Sequence, residues 1–439
     1  MATGAGLRSL DVIVTSDCNL RCAYCYQNAK TAGVITWGTV RPALDLLLES
    51  RRHRVTLLFI GGEPLLEFPL IRRAVRHVET HRRRNLSVEF ALATNGTLIG
   101  EGEADFLARH DFDLQVSFDG VDQVQRLRGA WTGSRLDELI DRLRRDHPAY
   151  FVRRLSIATT VVARTVPFLA RSVDYFLAKG VPDVVINPAL THQPDWRPAS
   201  VGLVDDAFSR IYRSCLRRYR QTGLIPLQLF RRRYPELDER VPGTWMCGTG
   251  RGESLTVDVD GELSGCVLFA RSYQRFPETP LGRAMDTLRL GPIGAPGLGR
   301  RLAAYGGALK AAGLFDGRER KYSSYGACAA CDCRSVCSVC PVCIVHQPEN
   351  GDPNRIPDFV CAFNRVAAAY RRRFPVQPDA RMRLTGRAPV PALVQEVIDH
   401  AEELRRFAGR PPVPRPAAAG RLNASAFDGG THERTTRRT

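Results

Sequence analysis

The chain has 439 residues, of which 44% are hydrophobic and 25% charged. That is too long for one ordinary domain and apolar enough for real cores, so two or three domains are expected. Its 63 Lys and Arg against 46 Asp and Glu leave a formal net charge of +17, which bears on solubility and polyanion attraction rather than on fold. No aromatic-interleaved basic patch, helix-turn-helix, RNA-recognition or zinc-finger pattern accompanies it, so nucleic acid is not an expected partner.

Residues 1–10 lack the charged start and apolar stretch of a signal peptide, and the most apolar run, Val55 to Ile60, is too short to cross a bilayer. A cytoplasmic protein without membrane association is expected. Disulfides rarely persist there, so metal or cluster ligation is the first explanation for thirteen grouped cysteines.

In chain order, short apolar runs at 9–15, 55–61, 87–94, 114–119, 155–162 and 183–188 predict strands. Amphipathic stretches at 39–51, 69–83, 102–109, 135–145 and 165–179 predict the helices between them. Such an alternation is the pattern of parallel β/α units, and right-handed crossovers curl them into a partial (β/α)6 barrel. The expected fold class is therefore α/β, with this barrel over 1–200 followed by a small cysteine-rich domain. A helix at 203–222 opens a bridge over 201–244. The cysteine-rich domain is expected over 245–375, a helical segment over 376–410, and a disordered basic tail, rich in Pro, Ala, Gly and Arg, over 411–439.

The first cysteines, Cys18, Cys22 and Cys25, form CxxxCxxC just after the first strand. Three thiolates in one loop can hold three irons of a 4Fe–4S cube and leave the fourth open to a chelating ligand. Structural zinc wants four closed ligands, so the loop fits zinc poorly. Gly61-Gly62-Glu63-Pro64, Thr94-Asn95-Gly96 and Ser117-Phe118-Asp119-Gly120 then fall on successive strand ends.

CxxxCxxC with Tyr24 before its last cysteine resembles the signature of the radical S-adenosylmethionine (SAM) superfamily. The three later motifs are similar to that family's GGEP, TNG and SxDG strand ends. The resemblance implies a 4Fe–4S cluster on Cys18, Cys22 and Cys25. It also implies SAM contacts from Tyr24, Gly61, Gly62, Glu63, Thr94, Asn95, Ser117 and Asp119, with Glu63 near the methionine ammonium. The implied chemistry is reductive cleavage of SAM to a 5′-deoxyadenosyl radical that abstracts hydrogen from substrate.

The second group begins with Cys247 and Cys266, which flank an expected hairpin of strands at 254–259 and 262–266 around Asp260-Gly261. Cys328, Cys331, Cys337, Cys340 and Cys361 follow in an order similar to the SPASM domain, which carries two auxiliary 4Fe–4S clusters in many radical SAM enzymes. By that resemblance Cys328, Cys331, Cys337 and Cys361 hold the distal cluster, and Cys247, Cys266 and Cys340 the nearer one. The nearer cluster's fourth ligand stays open between Cys343, Cys333, Cys215 and an exchangeable position. On spacing alone two CxxC pairs also make a zinc ribbon.

SPASM-bearing radical SAM enzymes mostly modify peptides, so the implied function is an oxidoreductase or maturase that crosslinks or otherwise alters side chains of a ribosomally made precursor peptide. Val267 stands where the sulfatase-maturing branch places an Asp, which disfavours that branch. A small-molecule substrate is the alternative, and a zinc-containing nucleic-acid or protein-binding module the alternative of another class. The expected partners are the peptide, an electron donor such as flavodoxin or ferredoxin, and a separate leader-peptide-binding protein unless the enzyme body serves. No catalytic acid or base stands out, and His346 reads as a surface residue.

Overall fold

The computed structural model describes residues 6–27, 29, 33–231, 253–276, 278–286, 288–311, 320–333, 337, 339–347 and 350–374. Cys247, the segments expected at 376–410 and 411–439, and 232–244 of the bridge lie outside them.

Six strands alternate with helices: β1 (Ser9–Ile13), β2 (Arg54–Ile60), β3 (Ser87–Thr94), β4 (Asp113–Ser117), β5 (Leu155–Val161) and β6 (Val184–Pro188). They pair in parallel in sequence order, the α/β architecture expected of a partial barrel. The helices are α1 (Trp37–Leu48), α2 (Phe68–His81), α3 (Glu101–Arg109), α4 (Asp122–Gln125), α5 (Thr132–Asp146), α6 (Pro148–Arg154), α7 (Leu169–Ala178) and α8 (Val201–Thr222). Their apolar spacing places one stripe on the sheet: Ile71, Ala74, Val75 and Val78 of α2 are buried, as are Leu136, Leu139, Ile140 and Leu143 of α5. Two prolines break the expected pattern. Pro148 opens α6 after α5 ends at Asp146, and Pro167 confines the start of the expected 165–179 helix to a 3-10 turn, Ala163–Phe168.

Burial alternates along the strands, fully so in β5 (Leu155, Ile157, Thr159 and Val161 buried; Ser156, Ala158 and Thr160 half-buried). One face packs under the helices. The other, the lumen side, carries half-buried residues such as Ala91, Ser117 and Ala158, and the motif loops follow the C-terminal ends of these strands.

The expected hairpin does not stand apart from the barrel. Its first strand, β7 (Ser254–Val257), pairs in parallel with β1, and β8 (Glu262–Ser264) and β9 (Arg289–Pro292) extend the sheet to nine strands in the order β6-β5-β4-β3-β2-β1-β7-β8-β9. Gly261 makes its turn at φ 84°, a conformation that only glycine adopts without strain. The helix Asp358–Arg373 then returns against α8, with Phe208 edge-on to Phe363 at 5.3 Å.

The β1–β7 pairing sets Asp11 beside Thr256 on the lumen side of the sheet. Burial pushes the Asp11 carboxyl up to about 7, with the neighbouring Thr256 opposing the rise. Because an unfolded Asp ionises near pH ~4, folding takes up a proton between these values. The raised pKa makes stability fall as pH rises from about 4 to about 7 and stay level above. Asp11→Asn should flatten that stretch, read as urea midpoints across it. An unchanged slope in the variant would show that Asp11 is ionised in the fold.

Candidate active site

The loop after β1 is clamped by the ends of three neighbouring strands. From β2, Gly62 and Glu63 donate their backbone N–H groups to the Thr15 and Asp17 carbonyls at 2.7 and 2.8 Å. The backbones approach so closely that a β-carbon on Gly61 would lie 2.4 Å from the Thr15 oxygen, and one on Gly62 2.1 Å from the Asp17 oxygen. Protein backbone alone therefore requires glycine at both positions.

Glu63 is fully buried. Its carboxylate accepts from Thr94 Oγ1 at 2.6 Å, the Asn95 N–H at 2.7 Å and the Leu65 N–H at 3.1 Å. Desolvation raises its pKa, and these donors oppose the rise. The ammonium-pairing carboxylate of the sequence reading is in the fold a tie between the β2 and β3 ends. Asn95 donates to Asn19 Oδ1 at 2.8 Å, and Asn19 donates to Thr97 Oγ1 at 2.9 Å. This network fixes the residue after Cys18. Gly96 turns at φ 76° against Val116 and Leu136, so the third strand end also needs glycine.

From β4, Asp119 is 2% exposed and saturated. Arg128 grips both of its oxygens at 3.0 Å, the Thr160 N–H donates to Oδ1 at 3.0 Å, and the Tyr24 hydroxyl donates to Oδ2. The Arg128 guanidinium also lies 5.3 Å over the Tyr24 ring. Asp119 and Tyr24, expected as cofactor contacts, therefore join the cysteine loop to the β4 end. Arg128 was missed from sequence, since nothing marks it in a chain with so many arginines. Ser117 ends β4 half-buried on the lumen side.

Cys18, Cys22 and Cys25 are all partly exposed on this loop. Burial raises the Cys22 pKa, Arg128 opposes the rise, and the neighbouring Cys25 and Cys18 thiols add to it. A tetrahedral zinc with bonds of ~2.3 Å would draw its thiolates to within about 4 Å of one another. Among the described residues the one trio of metal-ligating atoms within 4.8 Å of one another is Cys331, Asp332 and Cys333. The three loop thiols do not all lie within that distance of one another.

The second cysteine group divides by proximity. Burial pushes Cys361 up to about 12, with Cys328 and Cys331 adding to the rise. A hydrogen bond from Cys333 lowers Cys331 to about 6. Cys343, fully buried on the short helix Pro341–Val345, has Cys340 and Cys337 beside it, and its N–H donates to the Cys340 carbonyl at 3.1 Å. Cys337 thus neighbours Cys340 and Cys343, while its N–H reaches the Cys333 carbonyl at 2.9 Å. Cys266 lies toward the first loop: both it and Cys25 act on Tyr26, whose hydroxyl burial pushes up to about 12. Cys215 is buried on α8 beside Asp174, where burial pushes it up to about 12. His346 departs from expectation. It is half-buried, its Nε2 has no hydrogen-bond partner among the described residues, and burial lowers its pKa.

A parallel partial barrel whose β1 loop carries three thiols, clamped by GGE, TNG and SFDG strand ends, is the kind of fold expected of a radical SAM domain. Residues 12–152 match the profile of the Radical SAM superfamily, and the chain carries that domain, whose cofactors are SAM and a 4Fe–4S cluster. An uncharacterized protein of Methanocaldococcus jannaschii is 32% identical over 185 residues, covering 41% of this chain and 62% of that one. A cysteine-type anaerobic sulfatase-maturating enzyme of Clostridium perfringens is 31% identical over 121 residues, covering 26% of this chain and 33% of that one. The chain therefore spans about six tenths of the first relative's length and a third of the second's. Among solved structures, anSMEcpe with bound AdoMet superposes with a TM-score of 0.64 at 18% identity, over 89% of this chain and 99% of that one. The same enzyme is also solved with AdoMet and a peptide. The superposition extends over the cysteine-rich half as well as the barrel, so the two chains share a fold. No helix among the described residues is long and apolar enough to cross a membrane.

Proposed function

We propose that the chain is a radical SAM maturase that alters side chains of a precursor peptide. The observation that carries this reading is the three-thiol loop clamped by the ends of β2, β3 and β4, followed in the chain by a second cysteine group. Cys18, Cys22 and Cys25 would hold the SAM-binding cluster. Cys266, Cys328, Cys331, Cys337, Cys340 and Cys361, with Cys247, would hold two auxiliary clusters. Cys343 is the favoured fourth ligand beside Cys340, and Cys333 a further ligand candidate beside Cys331. When bound and reduced, the first cluster and SAM supply one-electron carbon–sulfur cleavage and a carbon-centred oxidant for hydrogen abstraction.

The protein's own part is positional. The Asp119–Arg128–Tyr24 and Glu63–Thr94–Asn95 ties fix the loop, while the half-buried lumen face limits water around the reacting group. Val267 after Cys266 separates this chain from the sulfatase branch and favours crosslinking or a related change. Coexpression with a short peptide encoded beside its gene, followed by mass spectrometry, tests the reading. A loss of two hydrogens from the peptide, absent in the Cys18→Ala variant, is the expected result. An unmodified peptide together with SAM cleavage stimulated by a small metabolite would replace it with the small-molecule alternative.

A further inference from the structure

A second concavity lies at the far edge of the barrel, five strands along the sheet from the cysteine loop. It encloses ≈ 440 Å³ between the 191–197 loop that follows β6 and, opposite it, Gln347 with residues 350–360, which lead to Cys361. The two walls are joined rigidly. His192 Nδ1 pairs with Gln347 Oε1 at 3.0 Å, the Trp196 indole N–H donates to the Tyr325 hydroxyl at 3.1 Å, and Trp196 meets Phe359 edge-on at 5.1 Å.

Nearly all of the acceptors in this cavity are already committed. Gln193 Oε1 accepts from the Ala163 N–H, Asn350 Oδ1 from the Asp352 N–H, and the Asp358 carboxylate takes both the N–H and hydroxyl of Ser324. The donors are not. Arg197 uses one nitrogen, Nη1, on the Pro194 and Trp196 carbonyls, and its other nitrogens have no partner among the described residues. The exposed Arg355 guanidinium has neither a hydrogen-bond nor an ion-pair partner among them. Beneath these cations lies an apolar floor that includes Ile356 and Val360, each 4% exposed. Trp196 is itself 8% exposed and engaged by Phe359, so no open ring offers a stacking platform for a nucleobase.

We propose that this cavity is a recognition site for an acidic segment of the peptide substrate, with Arg197 and Arg355 taking carboxylates and the floor taking an adjacent apolar side chain. Guanidinium groups suit this task because they present paired donors to a carboxylate. The site would hold the substrate at a distance from the clusters, so its residues are binding residues and not catalytic ones. The inference rests on the reading of the substrate as a peptide, but its test needs no turnover.

The test is fluorescence anisotropy of reconstituted holoenzyme with a fluorescein-labelled peptide of alternating Leu and Glu, and with the same peptide carrying Gln in place of Glu. Wild type should bind the Glu peptide roughly tenfold or more tightly than the Gln peptide, the size expected of two partly exposed charge pairs. Arg197→Glu with Arg355→Glu should remove that preference. The control Arg72→Glu with Arg76→Glu makes the same net-charge change on exposed positions of α2 and should retain it. Equal weakening by both double variants would overturn the proposal, because binding would then follow net charge alone. So would equal binding of the two peptides by wild type, which also decides the matter if the double variant fails to fold. A single-stranded oligonucleotide that displaces the Glu peptide and loses affinity with Arg197→Glu and Arg355→Glu would assign the site to nucleic acid instead. Arginine-dependent peptide binding without any peptide modification would sustain this site and remove the maturase reading.

Discussion

Cys22→Ala is expected to abolish formation of 5′-deoxyadenosine from SAM while leaving the iron of the second half in place. The Cys22 thiol sits between Cys18 and Cys25 in electrostatic contact with both, and Arg128 faces it. Removing it leaves two thiols on the loop, too few to hold a cube with one open iron. Loss of partners one step removed from a metal already costs roughly 10–100-fold. Loss of a ligand should exceed that, so product should fall by more than about a hundredfold. Total iron should fall by about four per chain, since only one cube is affected. Deoxyadenosine formed at the wild-type rate would mean that the catalytic cluster is elsewhere.

The second large effect is expected from Cys328→Ala combined with Cys331→Ala. These two cysteines lie with Cys361 at the start of the helix Asp358–Arg373, away from the β1 loop. Their removal should strip iron from the second half and reduce modified peptide by roughly tenfold or more relative to wild type, by analogy with the cost of disturbing a metal site. Uncoupled SAM cleavage should survive, because the clamp of Glu63, Asn95 and Asp119 on the first loop is untouched. Zinc rather than iron bound to the second half would contradict the auxiliary-cluster assignment, and loss of SAM cleavage in the double variant would contradict the separation of the two halves.

Much of this architecture could be read from the sequence because the decisive information is local. The six parallel strands announce themselves as short apolar runs with polar ends, and each expected boundary lies within two residues of the observed one. The CxxxCxxC, GGEP, TNG and SFDG motifs were legible as a set because the β/α repeat delivers all four to the same end of the sheet. What escaped depends on contacts distant in sequence. Nothing in Ser254–Val257 reveals that it pairs in parallel with β1 rather than folding within a separate domain. Arg128 becomes recognisable only when Asp119 and Tyr24 are brought to it. The close approach of Gly61 and Gly62 to residues 15–17 was similarly hidden, since it joins segments distant in the chain. Half-burial of His346 follows from Phe276 packing at 6.2 Å, a contact across seventy residues of chain.

The same dependence on distant contacts holds for the cavity beside β6. Arg197 and Arg355 are two among the 63 basic residues of the sequence, and only the fold sets them on facing walls. It also shows that most side-chain acceptors lining the cavity are hydrogen-bonded within the chain, whereas the two guanidinium groups are largely free to take a ligand.

The most direct test of the central claim is the iron and sulfide content of anaerobically reconstituted protein, with the same sample assayed for 5′-deoxyadenosine from SAM under reduction. About twelve irons per chain together with that product is the predicted result, as three 4Fe–4S clusters require. Protein that takes up no iron and releases no deoxyadenosine would contradict the account.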